Sequence, residues 1–67
     1  MNLFINGQSV ELSDSIKTVG SLLNYYGLGD KVVIVELNAT ILEKDTHQET
    51  AISDGDKLEL VHFVGGG

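Results

Sequence analysis

Residues 1–12 read Met1-Asn2-Leu3-Phe4-Ile5-Asn6-Gly7-Gln8-Ser9-Val10-Glu11-Leu12, and the fold depends on how this stretch pairs with itself. Asn-Gly between alternating apolar residues is the strongest short signal for a two-residue hairpin, because both positions of a type I′ turn need positive φ. A loop at Asn6-Gly7 pairs Ile5 with Gln8, Phe4 with Ser9, Leu3 with Val10, Asn2 with Glu11 and Met1 with Leu12. Directly opposed residues share a face. One face then carries Met1, Leu3, Ile5, Val10 and Leu12, plus Gln8 beside the turn. The other carries Asn2, Phe4, Ser9 and Glu11. Only the first can be a core face, and a one-residue slip would destroy the division. Phe4 is left on the outer face.

Working outward, Ser13-Asp14-Ser15 breaks the alternation and reads as a loop. From Thr18 to Tyr26, Val19, Leu22, Leu23 and Tyr26 fall at i, i+3, i+4 and i+7, a single helical stripe. Thr18 is placed to cap this helix, with Ser15 as the rival. Gly27 suits the left-handed position after the last turn, with Leu28 folding back on Leu23. Gly20 weakens the helix and is expected to permit close approach to the sheet. So short a helix needs docking to persist. Lys31 to Leu37 contains the β-branched run Val32-Val33-Ile34-Val35 and reads as a central strand. Asn38-Ala39 is a turn, Thr40-Ile41-Leu42 a short strand, and Glu43 to Thr50 an irregular crossover. Ser53-Asp54-Gly55-Asp56 is a turn, and Lys57 to Phe63 the last strand.

The order is hairpin, helix, strand, short strand, crossover, strand. It predicts an α+β fold of the β-grasp type: a mixed four- to five-stranded sheet with one main helix on one face. First and last strands then lie parallel and adjacent at the centre. The division expected is one domain over residues 1–64 and a flexible C-terminal glycine tail over 65–67.

Composition limits the function. Sixty-seven residues leave little room for an enclosed pocket, and the formal net charge is −6, with ten acidic and four basic residues. Nucleic acid and anionic membrane are poor partners for such a surface, whereas basic protein surfaces suit it. No apolar run is long enough to span a bilayer, and Met1-Asn2-Leu3-Phe4 lacks the basic start of a signal peptide. The absence of cysteine removes thiol chemistry and fits a cytoplasmic setting. His47 and His62 stand in no nucleophile motif, and solvated or packed roles suit them better than catalysis. Asp54-Gly55-Asp56 is too short for a calcium loop, and no metal site is expected. These features point to a binding protein rather than an enzyme.

Two features remain to carry function. In a β-grasp the outer faces of the first, third and last strands adjoin, so Phe4, Ile34, Val61 and Phe63 are expected to form one apolar patch beside the end of the last strand. Such a patch marks an interface; four unrelated surface residues are the bland alternative. Beyond it, Gly65, Gly66 and Gly67 gain nothing by burial and order at the highest backbone cost. A frayed end would account for glycine alone. Leaving directly from a central strand, the run reads instead as a cord that presents the α-carboxylate of Gly67.

The hairpin around Asn6-Gly7, the helix Thr18-Val19-Gly20-Ser21-Leu22-Leu23, the strand Val32-Val33-Ile34-Val35 ending at Leu37-Asn38, and the close from Asp54 to Gly67 together resemble the sulfur-carrier family of thiamine biosynthesis (ThiS), which is ubiquitin-like. The resemblance covers essentially the whole chain. It implies that Gly67 is the sulfur-bearing residue, with Gly66 completing the family's terminal pair and Gly65 adding reach. It implies a ThiF-like adenylyltransferase that uses ATP and Mg to form an acyl-adenylate at Gly67. Sulfur drawn from cysteine through a cysteine desulfurase or another donor then replaces AMP. Thiazole synthase (ThiG) takes sulfur from the resulting thiocarboxylate. No cofactor is expected on the carrier itself. The small subunit of molybdopterin synthase, generally longer, is the neighbouring alternative; a ubiquitin-like modifier is the alternative of another class.

Overall fold

The computed structural model describes residues 1–62. Strand β1 (Asn2–Ile5) and strand β2 (Gln8–Glu11) form the opening hairpin. Their register pairs Ile5 with Gln8, Phe4 with Ser9, Leu3 with Val10 and Asn2 with Glu11, as the alternation requires. Asn6 and Gly7 both have positive φ, 51° and 80°. Leu3, Ile5 and Leu12 are buried, with Met1 and Val10 packed against them, so the hairpin's core face is the one read from sequence.

Helix α1 spans Val19–Tyr25. Thr18, not Ser15, is its N-cap: its Oγ1 accepts the Ser21 N–H at 3.1 Å, and the Ser21 hydroxyl accepts the Thr18 N–H at 3.0 Å. Two orphan donors are thereby satisfied reciprocally. At the other end the Leu28 N–H reaches the Leu23 carbonyl at 2.8 Å and the Gly27 N–H the Asn24 carbonyl at 3.0 Å. With Gly27 at φ 73° this is a Schellman closure. Val19, Leu22 and Leu23 bury the helical stripe; Tyr26, its fourth member, is exposed.

Strand β3 covers Val33–Leu37 and strand β4 Thr40–Ile41, joined through Asn38-Ala39. β3 starts two residues later than the strand expected from Lys31, because the Lys31 N–H is bonded to the Leu28 carbonyl in the turn after the helix. The crossover contains one 3-10 turn, Lys44–Thr46. It packs on the helix start, where the Gly20 N–H donates to the His47 carbonyl at 2.8 Å. A Cβ on Gly20 would meet the Gln48 carboxamide at 2.5 Å. The close approach at Gly20 is therefore to the crossover and not to the sheet.

Strand β5 runs from Lys57 to His62. The sheet order is β2-β1-β5-β3-β4, with β5 parallel to β1 and antiparallel to β3. This is the mixed sheet of a ubiquitin-like β-grasp, with five strands. β5 is central, and Leu58, the register partner of both Ile5 and Leu37, is fully buried. The core is the layer between the sheet and α1: Leu3, Ile5, Val33, Val35 and Leu58 below, Val19, Leu22 and Leu23 above, and Ile16 and Ile52 closing it. The expected domain limit at residue 64 lies outside the described residues, as do Phe63 and the terminal Gly65, Gly66 and Gly67.

Candidate functional site: the exit of the central strand

The chain passes beyond the described body at His62, so the surface around that end of β5 is where a presented terminus would leave. β3 accompanies β5 throughout, from Leu37 opposite Leu58 to Val33 opposite His62. β1 accompanies it only from Phe4 opposite Lys57 to Ile5 opposite Leu58, then turns away at Asn6. The Phe4 N–H bonds the Asp56 carbonyl and the Asn6 N–H the Leu58 carbonyl, both at 2.9 Å. In a regular parallel ladder the next donor is the Leu60 N–H and its acceptor the carbonyl of residue 6. Here the Asn6 side chain takes that place. Its Oδ1 accepts the Leu60 N–H at 2.8 Å, and its Nδ2 donates to the Leu60 carbonyl at 3.3 Å. Past Leu60, the β1 side of β5 has no further rung among the described residues.

On the outer face Val61 stands directly opposite Ile34; they are 49% and 42% exposed. Val32, two residues before Ile34, is also exposed. One pair towards the start of β5, Glu59 stands directly opposite Glu36. Like charges so placed repel, so an acidic step borders the apolar pair. Phe4 is 42% exposed on the same face, but its register partner is Lys57. It lies four residues of β5, about 13 Å, from the level of Val61. The structure thus brings Ile34 and Val61 together and sets Phe4 apart from them, because the parallel register places the middle of β1 beside the beginning of β5. Phe63, the fourth expected member, lies outside the described residues, as do Gly65, Gly66 and Gly67.

On the helix side, the same end of β5 borders a groove of about 350 Å³ whose lining includes Ile5, Asn6, Tyr26, Leu28, Leu60 and His62. His62 is exposed there. His47 is a packed residue instead, 6% exposed, and its Nε2 has no hydrogen-bond partner among the described residues. Burial pushes its pKa below the ordinary imidazole value; nearby Lys44 acts in the same direction and Asp45 opposes. The two histidines stand on different parts of the chain and form no joint site. Among the described residues no group of three or more His, Cys, Asp or Glu is placed to hold a metal ion, and no helix is long and apolar enough to cross a membrane.

Sequence reasoning missed the role of Asn6, which it read only as a turn residue. It also missed the Glu36–Glu59 opposition and the groove. The first had a local signal, Asn-Gly, but its partner is 54 residues away. The other two follow from register.

Comparison with known proteins agrees with this geometry. The ThiS family model matches residues 3–67. The sulfur carrier protein ThiS of Bacillus subtilis is 43% identical over 65 residues, covering 97% of this chain and 98% of that protein. A thiazole synthase of Paramagnetospirillum magneticum is 45% identical over all 67 residues, of which the chain spans only 20% of that protein's length. Among solved structures, the thiamine biosynthesis protein ThiS of Geobacter metallireducens superposes with a TM-score of 0.82 at 35% identity, each chain covered in full. By these matches, with which its strand order agrees, the chain belongs to the ThiS family.

Proposed function

We propose that this chain is a sulfur carrier of thiamine biosynthesis, acted on by partner enzymes rather than an enzyme itself, and that sulfur travels on the carboxyl carbon of Gly67. A carboxylate is ionised at neutral pH and is a poor electrophile. A ThiF-like adenylyltransferase therefore first transfers AMP from ATP to it, with Mg, releasing pyrophosphate. A persulfide supplied by a cysteine desulfurase then attacks the carbonyl carbon and AMP leaves. Cleavage of the sulfur–sulfur bond by a thiol reductant leaves the thiocarboxylate. Thiazole synthase (ThiG) is the acceptor. Gly65 and Gly66 let the end enter a narrow site, having no side chain to clash.

One observation carries this reading: 65 of the 67 residues match a sulfur carrier protein over 98% of its length, and all 67 match one fifth of a thiazole synthase polypeptide. Carrier and acceptor belong to one reaction when both are built with this segment. The exit geometry supports it, since a terminus leaving the central strand beside Ile34 and Val61 presents itself next to an apolar patch with acidic Glu36 and Glu59 at its border. An enzyme surface with apolar contacts and a basic rim complements it.

The test is intact mass after incubation with the adenylyltransferase, ATP, Mg and a sulfur donor. The expected product shows one oxygen replaced by sulfur at the C-terminus, and the change reverses when thiazole synthase turns over. No mass change, or an isopeptide adduct to lysine, overturns the carrier reading. Val61→Asp, on an exposed position, should weaken enzyme binding while leaving the fold intact; undiminished affinity removes the patch from the interface.

A further inference from the structure

We infer that Asn6 is a positioning residue for the outgoing chain: its carboxamide replaces the missing strand partner of Leu60 and fixes the path of β5 where it leaves the body. The inference rests on the carrier reading for its purpose and on geometry alone for its existence. Two requirements meet at residue 6. The hairpin needs positive φ there, and Asn6 stands at 51°. That rotation carries its backbone carbonyl out of the β1–β5 ladder one rung before β5 ends. The side chain then offers an acceptor and a donor at once, and Leu60 uses both, at 2.8 and 3.3 Å. Among ordinary residues asparagine tolerates the left-handed region and carries an amide able to mimic a peptide group. Glycine would satisfy the turn and leave Leu60 unpaired on that side.

The location decides why this matters. Leu60 is two residues before His62, and the outer-face pair Ile34–Val61 lies between them. Among the described residues, only β3 guides the strand beyond Leu60. Without the carboxamide, the last residues of β5 are tied along one edge, and the direction in which the chain departs relative to Ile34 and Val61 is set by that edge alone. A terminus that must reach a reacting centre while the patch docks needs this direction fixed, because misplacement by about 1 Å can cost two orders of magnitude in rate.

The test uses the full chain and two variants. Asn6→Gly keeps the turn and deletes both bonds; Asn6→Asp retains an acceptor for the Leu60 N–H and loses the donor. Amide hydrogen exchange at Leu60 and Val61 reads the clamp without reference to function. In Asn6→Gly, exchange there should rise roughly tenfold, the equivalent of losing one to two net hydrogen bonds, while the amides of β3 partnered by β4 are little changed. Steady-state adenylation reads the consequence: with the docking patch intact, Asn6→Gly should lower kcat several-fold with KM for the carrier nearly unchanged, and Asn6→Asp should recover part of it. Exchange at Leu60 equal to the parent's overturns the clamp. Faster exchange with unaltered kcat overturns the positioning role. If the parent chain is not adenylated at all, the carrier reading falls, while the exchange result still decides the clamp.

Discussion

The two hairpin turns of this molecule are built alike and used differently. Each is a two-residue loop opened by asparagine in the left-handed region, Asn6 at 51° and Asn38 at 49°. Each asparagine reaches the same strand, β5, and each Oδ1 accepts a β5 backbone N–H: Leu60 at 2.8 Å from Asn6, Lys57 at 3.0 Å from Asn38. They hold opposite ends. Asn38 sits where β5 enters the sheet, and its second bond goes to a carboxylate, from Nδ2 to Asp56 Oδ1 at 3.1 Å. Asp56 in turn accepts the Ser53 N–H at 2.8 Å, so this clamp is one member of a network that closes the preceding turn. The Asn38 backbone adds a bond to the Lys57 carbonyl at 2.8 Å. Asn6 sits where β5 leaves, and both side-chain bonds go to Leu60 alone. The same local device thus anchors a core strand at one end and aims it at the other.

The strand between the clamps is what both depend on. Leu58 is fully buried and opposed by Ile5 on one side and Leu37 on the other. Leu58→Ala should destabilise the domain by about 2–5 kcal/mol, the range for emptying a core leucine site. A domain of this length holds roughly 3–10 kcal/mol in total, so the variant will be partly unfolded or nearly so. Equilibrium urea unfolding measures it. A loss well under 1 kcal/mol would mean that β5 is not the strand on which the sheet rests, and the two clamps would lose their common meaning.

How much of this was legible beforehand follows from the range of each interaction. The first hairpin was read to the residue because its register is set by a two-residue turn and a period-2 pattern within twelve positions. The helix caps were legible for the same reason: Thr18 with Ser21, and Gly27 with Leu28, are neighbours in sequence. Phe4 was correctly read as facing outwards, yet wrongly grouped with Ile34 and Val61. Face follows from local alternation; the level along β5 follows from a parallel register between segments some fifty residues apart, which nothing in either segment declares. The Asn6 clamp was hidden likewise. Gly20 marked a close approach, but it was read as one to the sheet, and the partner is Gln48 of the crossover, a contact between segments nearly thirty residues apart.

The second variant tests the division of labour. Asn38→Gly keeps the positive φ and the backbone bond to the Lys57 carbonyl and removes the side-chain bonds to the Lys57 N–H and Asp56. It should cost about 1–2 kcal/mol, as expected for two hydrogen bonds of which one is charge-assisted. Its signature should be global: the urea midpoint falls and protected amides exchange faster in step, Leu60 included. Asn6→Gly should instead loosen the exit ahead of the rest. Indistinguishable exchange patterns from the two variants would mean that entry and exit clamps are equivalent, and the contrast between anchoring and aiming would be lost.

The smallest effect isolates the turns from their clamps, because it lies at the second turn position and leaves both asparagines in place. The first turn has Gly7 at φ 80°; the second has Ala39 at φ 71°. Alanine in the left-handed region carries a cost of about 1–2 kcal/mol from its Cβ, and glycine there gives back part of it through the greater freedom of its unfolded chain. Ala39→Gly should therefore stabilise the domain by roughly 0.5–1 kcal/mol. Gly7→Ala should destabilise it by a similar amount, and a Cβ at Gly7 would meet no atom within 4 Å, so the cost there is backbone conformation alone. Opposite shifts of comparable size in the urea midpoint are the expected result. Equal signs would show that the second turn relies on something other than the φ values it shares with the first. With the expected result, the turns are interchangeable at their second positions. What distinguishes them then lies wholly in the two asparagines and in which end of β5 each one holds.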